Sequence, residues 1–163
     1  MNKLYRFLFL LAFHVIGMLA WSQDIPKWKL ADLEKVIKQS DKPAIINFWA
    51  TWCKPCIEEL PYFQELAKKY EQQGVRLILV SLDMKEAYPA GIKNFSTKRK
   101  INASNIVFLD ETNAYLFCPA VDQKWSGAIP ATLFVNNKTG YRSFFEDQLS
   151  KDQLEKEILK MIQ

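Results

Sequence analysis

Residues 47–61 read NFWATWCKPCIEELP, with Cys53 and Cys56 separated by Lys54 and Pro55. The run AIINFWA (44–50) that leads into them has the pattern of a strand buried on both faces. Beyond them, Ile57, Leu60, Phe63, Leu66 and Tyr70 recur every three or four residues, the stripe of a long amphipathic helix. The cysteine pair therefore sits where a strand hands over to a helix. Such a pair has three possible uses: half of a metal site, a structural staple, or a redox dithiol.

A closed zinc site needs four Cys or His ligands. The chain has three cysteines, Cys53, Cys56 and Cys118, and one histidine, His14, which lies in an apolar N-terminal segment. Nothing pairs with Cys53 and Cys56 at ligand spacing, so no metal is expected. A bridge across two residues closes a very small loop and removes little entropy from the unfolded chain, which makes it a poor staple. Redox chemistry fits the position. A helix N-terminus presents unpaired N–H groups and the positive end of the helix dipole, both of which favour a thiolate. Such placement lowers a cysteine pKa from about 8.5 into a range of roughly 3.5–7.5. Lys54 adds positive charge, and Pro55 suits a first-turn position where its missing N–H is not needed. Cys53 is then the exposed nucleophile and Cys56, one turn along and more buried, the resolving thiol.

The N-terminus bears on the compartment. Lys3 and Arg6 precede the apolar run FLFLLAFHVIGML (7–19), and small Ala20 and Ser22 follow it. This is the layout of a signal peptide over 1–22, with one domain over 23–163. The alternative is an uncleaved N-terminal membrane anchor. Either way the domain is exported, to a periplasmic or other extracytoplasmic space where exposed dithiols tend to oxidise. Removal of residues 1–22 takes away His14 and with it any Cys–His catalysis. It also takes Lys3 and Arg6 from a formal net charge of only +4, so nucleic acid is not an expected partner.

Along the domain, LADLEKVIKQ (30–39) patterns as a helix, and VRLILVSL (75–82) as a second buried strand. A short helix is expected near 90–99 and a third strand at NIVFLD (105–110). NAYLF (113–117) suggests one helical turn region. ATLFV (131–135) and YRSFF (141–145) suggest a hairpin, and a final helix begins at Ser150 with Gln153 completing a capping box. The fold class is α/β, with parallel strands closed by an antiparallel hairpin and helices on both faces.

FWATWCKPC followed downstream by IPAT (129–132) resembles the thioredoxin family. The longer flank NFWATWCKPCIEELP, and an extra helix–strand unit at about 84–110, resemble the exported TlpA/ResA-type thiol-disulfide oxidoreductases of bacteria. The resemblance spans roughly 30–162. It implies a thioredoxin-like fold, a central mixed sheet flanked by helices with that unit inserted before the Ile-Pro loop. It further implies that Pro130 is cis and faces the dithiol, that backbone groups of Ile129 pair with an extended substrate segment, and that Trp52 shapes the contact surface. It implies a reductase that needs no cofactor beyond the Cys53–Cys56 disulfide. Electrons would come from a membrane dithiol transporter and pass to oxidised or thiol-bearing exported proteins, apocytochrome c among them. The protein is expected to act as a monomer. An oxidase or isomerase, or a thioredoxin-fold binding module without turnover, are the alternatives.

Two residues depart from the pattern. Asn47 stands where many thioredoxins have a buried aspartate, and asparagine takes no proton at ordinary pH; Glu58 or Glu59 is the candidate substitute. Lys54 stands where the exported reductases often carry an acid, and a cation there pushes the pair toward a more oxidising potential. Two readings stand for Trp125, the edge of the substrate groove or plain packing. Cys118 in YLFCPA reads as a buried, inert thiol, with a third redox thiol as the other possibility.

Overall fold

In the computed structural model, residues 24–163 are described; the signal segment expected at 1–22 lies outside them. Strand β1 (Lys27–Trp28) is followed by helix α1 (Leu30–Gln39), β2 (Ala44–Trp49), α2 (Lys54–Lys69), β3 (Arg76–Ser81), α3 (Ala90–Arg99) and β4 (Ile106–Leu109). Then come α4 (Ala114–Val121), the hairpin β5 (Ala131–Asn136) and β6 (Tyr141–Phe145), and α5 (Lys151–Ile162). The six strands form one mixed sheet in the order β1-β4-β3-β2-β5-β6. The first four in that order run parallel; β5 pairs antiparallel with β2, and β6 antiparallel with β5.

Strand alternation divides the core in two. Ile45 and Trp49 of β2 pack on one face with α2, α3 and α5. Ala44, Ile46 and Phe48 pack on the other with α1 and α4. Both faces of β2 are buried along its whole length, as its apolar run requires. The expected unit α3–β4 is present between β3 and the hairpin, with α3 buried through Ile92 and Ser96.

Two local features differ from the sequence reading. Strand β1 has no hydrophobic run to announce it; it exists because Pro26 and Trp28 carbonyls accept the Phe108 and Asp110 N–H groups at 2.8 and 2.7 Å. Helix α4 runs on through Pro119 to Val121. Proline deprives only the Tyr115 carbonyl of its partner, while Phe117, Cys118 and Val121 gain a buried face. Beyond α2, Gly74 closes a 3₁₀ turn at Glu71–Gln73 with φ of 85°.

The capping box of α5 is formed: the Gln153 N–H donates to Ser150 Oγ at 3.3 Å and the Ser150 N–H to Gln153 Oε1 at 2.8 Å. Ser150→Ala is expected to destabilise the fold by about 1 kcal/mol, read as a lower midpoint in urea with an unchanged m-value.

Candidate active site

Cys53 is the N-cap of α2, in extended geometry, and Pro55 lies in the first turn. The two cysteines are joined as a disulfide. The Cys56 N–H points at Cys53 Sγ, 3.3 Å away. On reduction this donor and the helix N-terminus stabilise negative charge on Cys53. Cys56 is fully buried. Cys53 is only 5% exposed, so the openly exposed nucleophile expected from sequence is recessed, with the Ile129 carbonyl oxygen 3.8 Å from its sulfur. It is still the more accessible of the pair.

The Ile129 contact spans 76 residues of sequence and follows from strand register. Phe48 pairs with Ala131 and Asn47 with Thr132 in the antiparallel β2–β5 ladder. The residues entering β5 therefore lie beside those leaving β2. The Ile129–Pro130 peptide is cis; Pro130 is buried and Ile129 half-buried.

The loop that carries Cys53 is tied to the end of β3. Asp83 accepts from the Thr51 N–H at 3.1 Å, from Thr51 Oγ1 at 2.6 Å and from Ser81 Oγ at 2.8 Å. Trp52, the next residue, is 66% exposed. Trp49 is fully buried and packs against Phe95. The Lys54 side chain is 88% exposed and its ammonium lies 3.9 Å from Glu58. Its charge acts through water and is partly neutralised, so its influence on the thiols is small.

Trp125 does not edge a groove. It is 5% exposed, packed among Phe48, Phe117 and Phe144, and its indole N–H donates to the Ala128 carbonyl at 2.8 Å. Its neighbours are the apolar side chains of the second core, which leaves no open face for a substrate. Cys118 is a buried free thiol in the same region. Burial, and secondarily the Glu146 charge, push its pKa up, which keeps it protonated.

Asn47, which takes no proton itself, is hydrogen-bonded to a buried acid. Its Nδ2 donates to Glu59 Oε1 at 2.7 Å and to Thr132 Oγ1 at 3.0 Å. Glu59 lies one turn beyond Cys56 on the buried face of α2, and its other oxygen accepts the Leu149 N–H at 3.2 Å. Desolvation by burial outweighs these two hydrogen bonds and pushes the Glu59 pKa up from 4.5 to about 7. The sequence carried a signal for this: an acid three residues after Cys56, inside the apolar stripe rather than opposite it. Glu58 faces solvent beside Lys54. Among the described residues, no three His, Cys, Asp or Glu side chains come together as a metal site.

A disulfide at a helix N-terminus that follows a buried parallel strand, with the loop entering β5 beside its first sulfur, fits a thiol-disulfide oxidoreductase of thioredoxin fold. The comparisons agree. The AhpC/TSA family pattern matches residues 19–140, and the chain belongs to that family. It is 34% identical over 146 residues to the thiol-disulfide oxidoreductase ResA of Bacillus thuringiensis subsp. konkukian, covering 86% of this chain and 77% of that protein. With ResA of Bacillus cereus (strain ZK) it shares 42% identity over 77 residues, which is 45% of this chain and 43% of that one. A thioredoxin-family thiol:disulfide interchange protein from Chlorobium tepidum superposes with a TM-score of 0.61 at 19% identity, over 80% of this chain and 85% of its own.

Glu59 yields a test of linkage. Folded, it keeps its proton up to about pH 7; unfolded, it loses it near 4.5. Between these values the folded chain binds more protons, so this group makes stability fall as pH rises. Glu59→Gln removes that dependence. Its stability relative to wild type is expected to rise by about 3 kcal/mol from pH 4.5 to pH 8, measured by urea unfolding of the oxidised proteins. A difference independent of pH would contradict the assignment.

Proposed function

We propose that the protein is an exported reductase of disulfides in partner proteins, working through Cys53 and Cys56. The Cys53 thiolate attacks one sulfur of the partner disulfide. A mixed disulfide forms and the partner's other sulfur leaves as a thiolate. The Cys56 thiolate then attacks Cys53 Sγ. This closes the Cys53–Cys56 disulfide and releases the partner's second thiolate, so two electrons have passed to the partner. Glu59 takes up the Cys56 proton, since its pKa near 7 lets it exchange protons at neutral pH. A membrane dithiol donor returns the pair to the reduced state, and apocytochrome c thiols are a fitting target, as the resemblance to ResA-type proteins suggests. The disulfide itself is the only redox group required. The protein works as a monomer, and its export depends on residues 1–22.

The single observation that carries the reducing direction is the position of Glu59. A buried carboxyl that becomes negative one turn from Cys56, where α-helical neighbours lie about 5–6 Å apart at Cβ, disfavours thiolates. It thereby favours the disulfide, which makes the reduced pair a better electron donor. The opposing cation, Lys54, is solvated and paired with Glu58, so an exposed interaction of about 0–1 kcal/mol opposes a buried one, and the buried one prevails.

Equilibration of the Cys53/Cys56 pair with glutathione is expected to give a potential nearer the roughly −270 mV of a thioredoxin than the roughly −120 mV of a strong oxidant. A value at the oxidising end would reverse the direction proposed. Glu59→Gln should shift the pair toward the oxidising side. Cys56→Ser should accumulate mixed disulfides with exported proteins in cells, whereas Cys53→Ser should trap none.

A further inference from the structure

The loop that precedes Pro130 is held by a carboxylate from a distant element. Glu146 follows the last residue of β6, and the pairing of Thr132 with Phe145 brings it alongside the chain entering β5. Its Oε1 accepts from the Ser126 N–H at 3.0 Å, from the Ala128 N–H at 3.0 Å and from the Ser126 hydroxyl. Its Oε2 accepts a second contact from the Ser126 N–H at 3.2 Å. On the inner side of the same loop, the Trp125 indole N–H donates to the Ala128 carbonyl. Between these two anchors Gly127 turns at φ of 99°, a conformation that a side chain would oppose.

The segment that carries Glu146 also reaches the cysteine helix. Three residues on, the Leu149 N–H donates to Glu59, and the Leu149 carbonyl accepts from the Tyr62 hydroxyl of α2. Residues 146–149 thus bridge the two halves of the site, the helix with the cysteines and the loop with Ile129. Burial alone would raise the Glu146 pKa, yet the Ser126 and Ala128 donors hold it below the ordinary carboxylate range. The clamp is therefore charged and intact throughout the neutral range.

We propose that Glu146 is a positioning residue for thiol–disulfide exchange with protein substrates. Its carboxylate fixes the 126–128 turn and so sets the Ile129 backbone beside Cys53, where an extended substrate segment must align its disulfide for attack. Charge-assisted hydrogen bonds to backbone N–H groups are among the stronger ones, and an N–H left without its acceptor releases the turn. Loss of the clamp leaves the sulfur chemistry untouched, because Glu146 contacts neither cysteine. It lowers the fraction of loop conformations that accept a peptide. A small disulfide that needs no backbone pairing does not sense the change. This inference rests on the exchange activity proposed above.

The test compares two probes against the reduced protein. One is a disulfide-bridged peptide with several residues on each side of its cysteines. The other is 5,5′-dithiobis(2-nitrobenzoic acid), a small aromatic disulfide. Glu146→Ala is expected to lower the second-order rate constant for the peptide at least tenfold. The rate with the small disulfide should change less than twofold, and the glutathione equilibrium constant likewise. Glu146→Gln retains Oε1, the oxygen that takes three of the four contacts, and should restore most of the peptide rate. Should Glu146→Ala fail to fold, Ser126→Ala removes one donor and is expected to slow the peptide two- to threefold with the same selectivity. Equal slowing of both probes, no slowing of either, or a Gln variant no better than Ala would overturn the proposal. Wild-type protein that reacts with neither probe would instead overturn the exchange reading beneath it.

Discussion

Antiparallel pairing of β5 with β2 is the constraint on which the site depends. Phe48 opposite Ala131 and Asn47 opposite Thr132 set a register that places the end of one strand beside the start of the other. A slip of one residue would turn Ile45, Asn47 and Trp49 to the opposite face. It would move Asn47 away from Glu59 and the Ile129 carbonyl away from Cys53. The register is secured because both faces of β2 are buried, so a slipped pairing would bring every side chain into the wrong half of the core. The chemistry at Cys53 therefore draws its geometry from packing that extends over the whole sheet.

Three carboxylates then adjust the site, each in a different environment. Asp83 and Glu146 accept several N–H and O–H donors and act as fixed anchors for the loops on either side of the disulfide. Glu59 has only two donors and no solvent, so desolvation prevails and its proton is retained to near neutrality. Glu146, with several donors facing it, is held below the ordinary carboxylate range, whereas burial raises Glu59. Lys54 shows the converse. It is adjacent to Cys53 in sequence, but its long side chain carries the charge into water and beside Glu58. Proximity along the chain does not bring its charge into the buried part of the site.

Much of this architecture was legible in the order of residues. The apolar run before Cys53, the helical stripe after it and the Ser150–Gln153 box all correspond to elements at nearly the expected limits. These signals are local, because a buried strand, an amphipathic helix and a cap each need only their own residues to be recognised. The pairing that forms β1 is not local; two residues become a strand only because β4 offers them partners. Trp125 illustrates the same limit. Near Pro130 in sequence, it suits a groove or a core equally, and three aromatic neighbours from separate elements place it in the core. Glu59 was half legible, since its spacing from Cys56 placed it on the buried face, but its partners Asn47, Thr132 and Leu149 come from other elements.

The sequence by itself determined the chemistry available: two cysteines at a strand-to-helix junction, no histidine beyond the N-terminal segment, and an Ile-Pro pair downstream. These follow from residue identity and short-range periodicity, which need no knowledge of distant contacts. The tertiary structure alone decided what surrounds that chemistry. Desolvation, which raises the Glu59 pKa, depends on everything that surrounds the carboxyl. The Glu146 clamp depends on a hairpin register that brings residues 18 to 20 positions apart into hydrogen-bond range. Both are properties of the enclosed volume around a group, and a linear chain has no such volume until it folds.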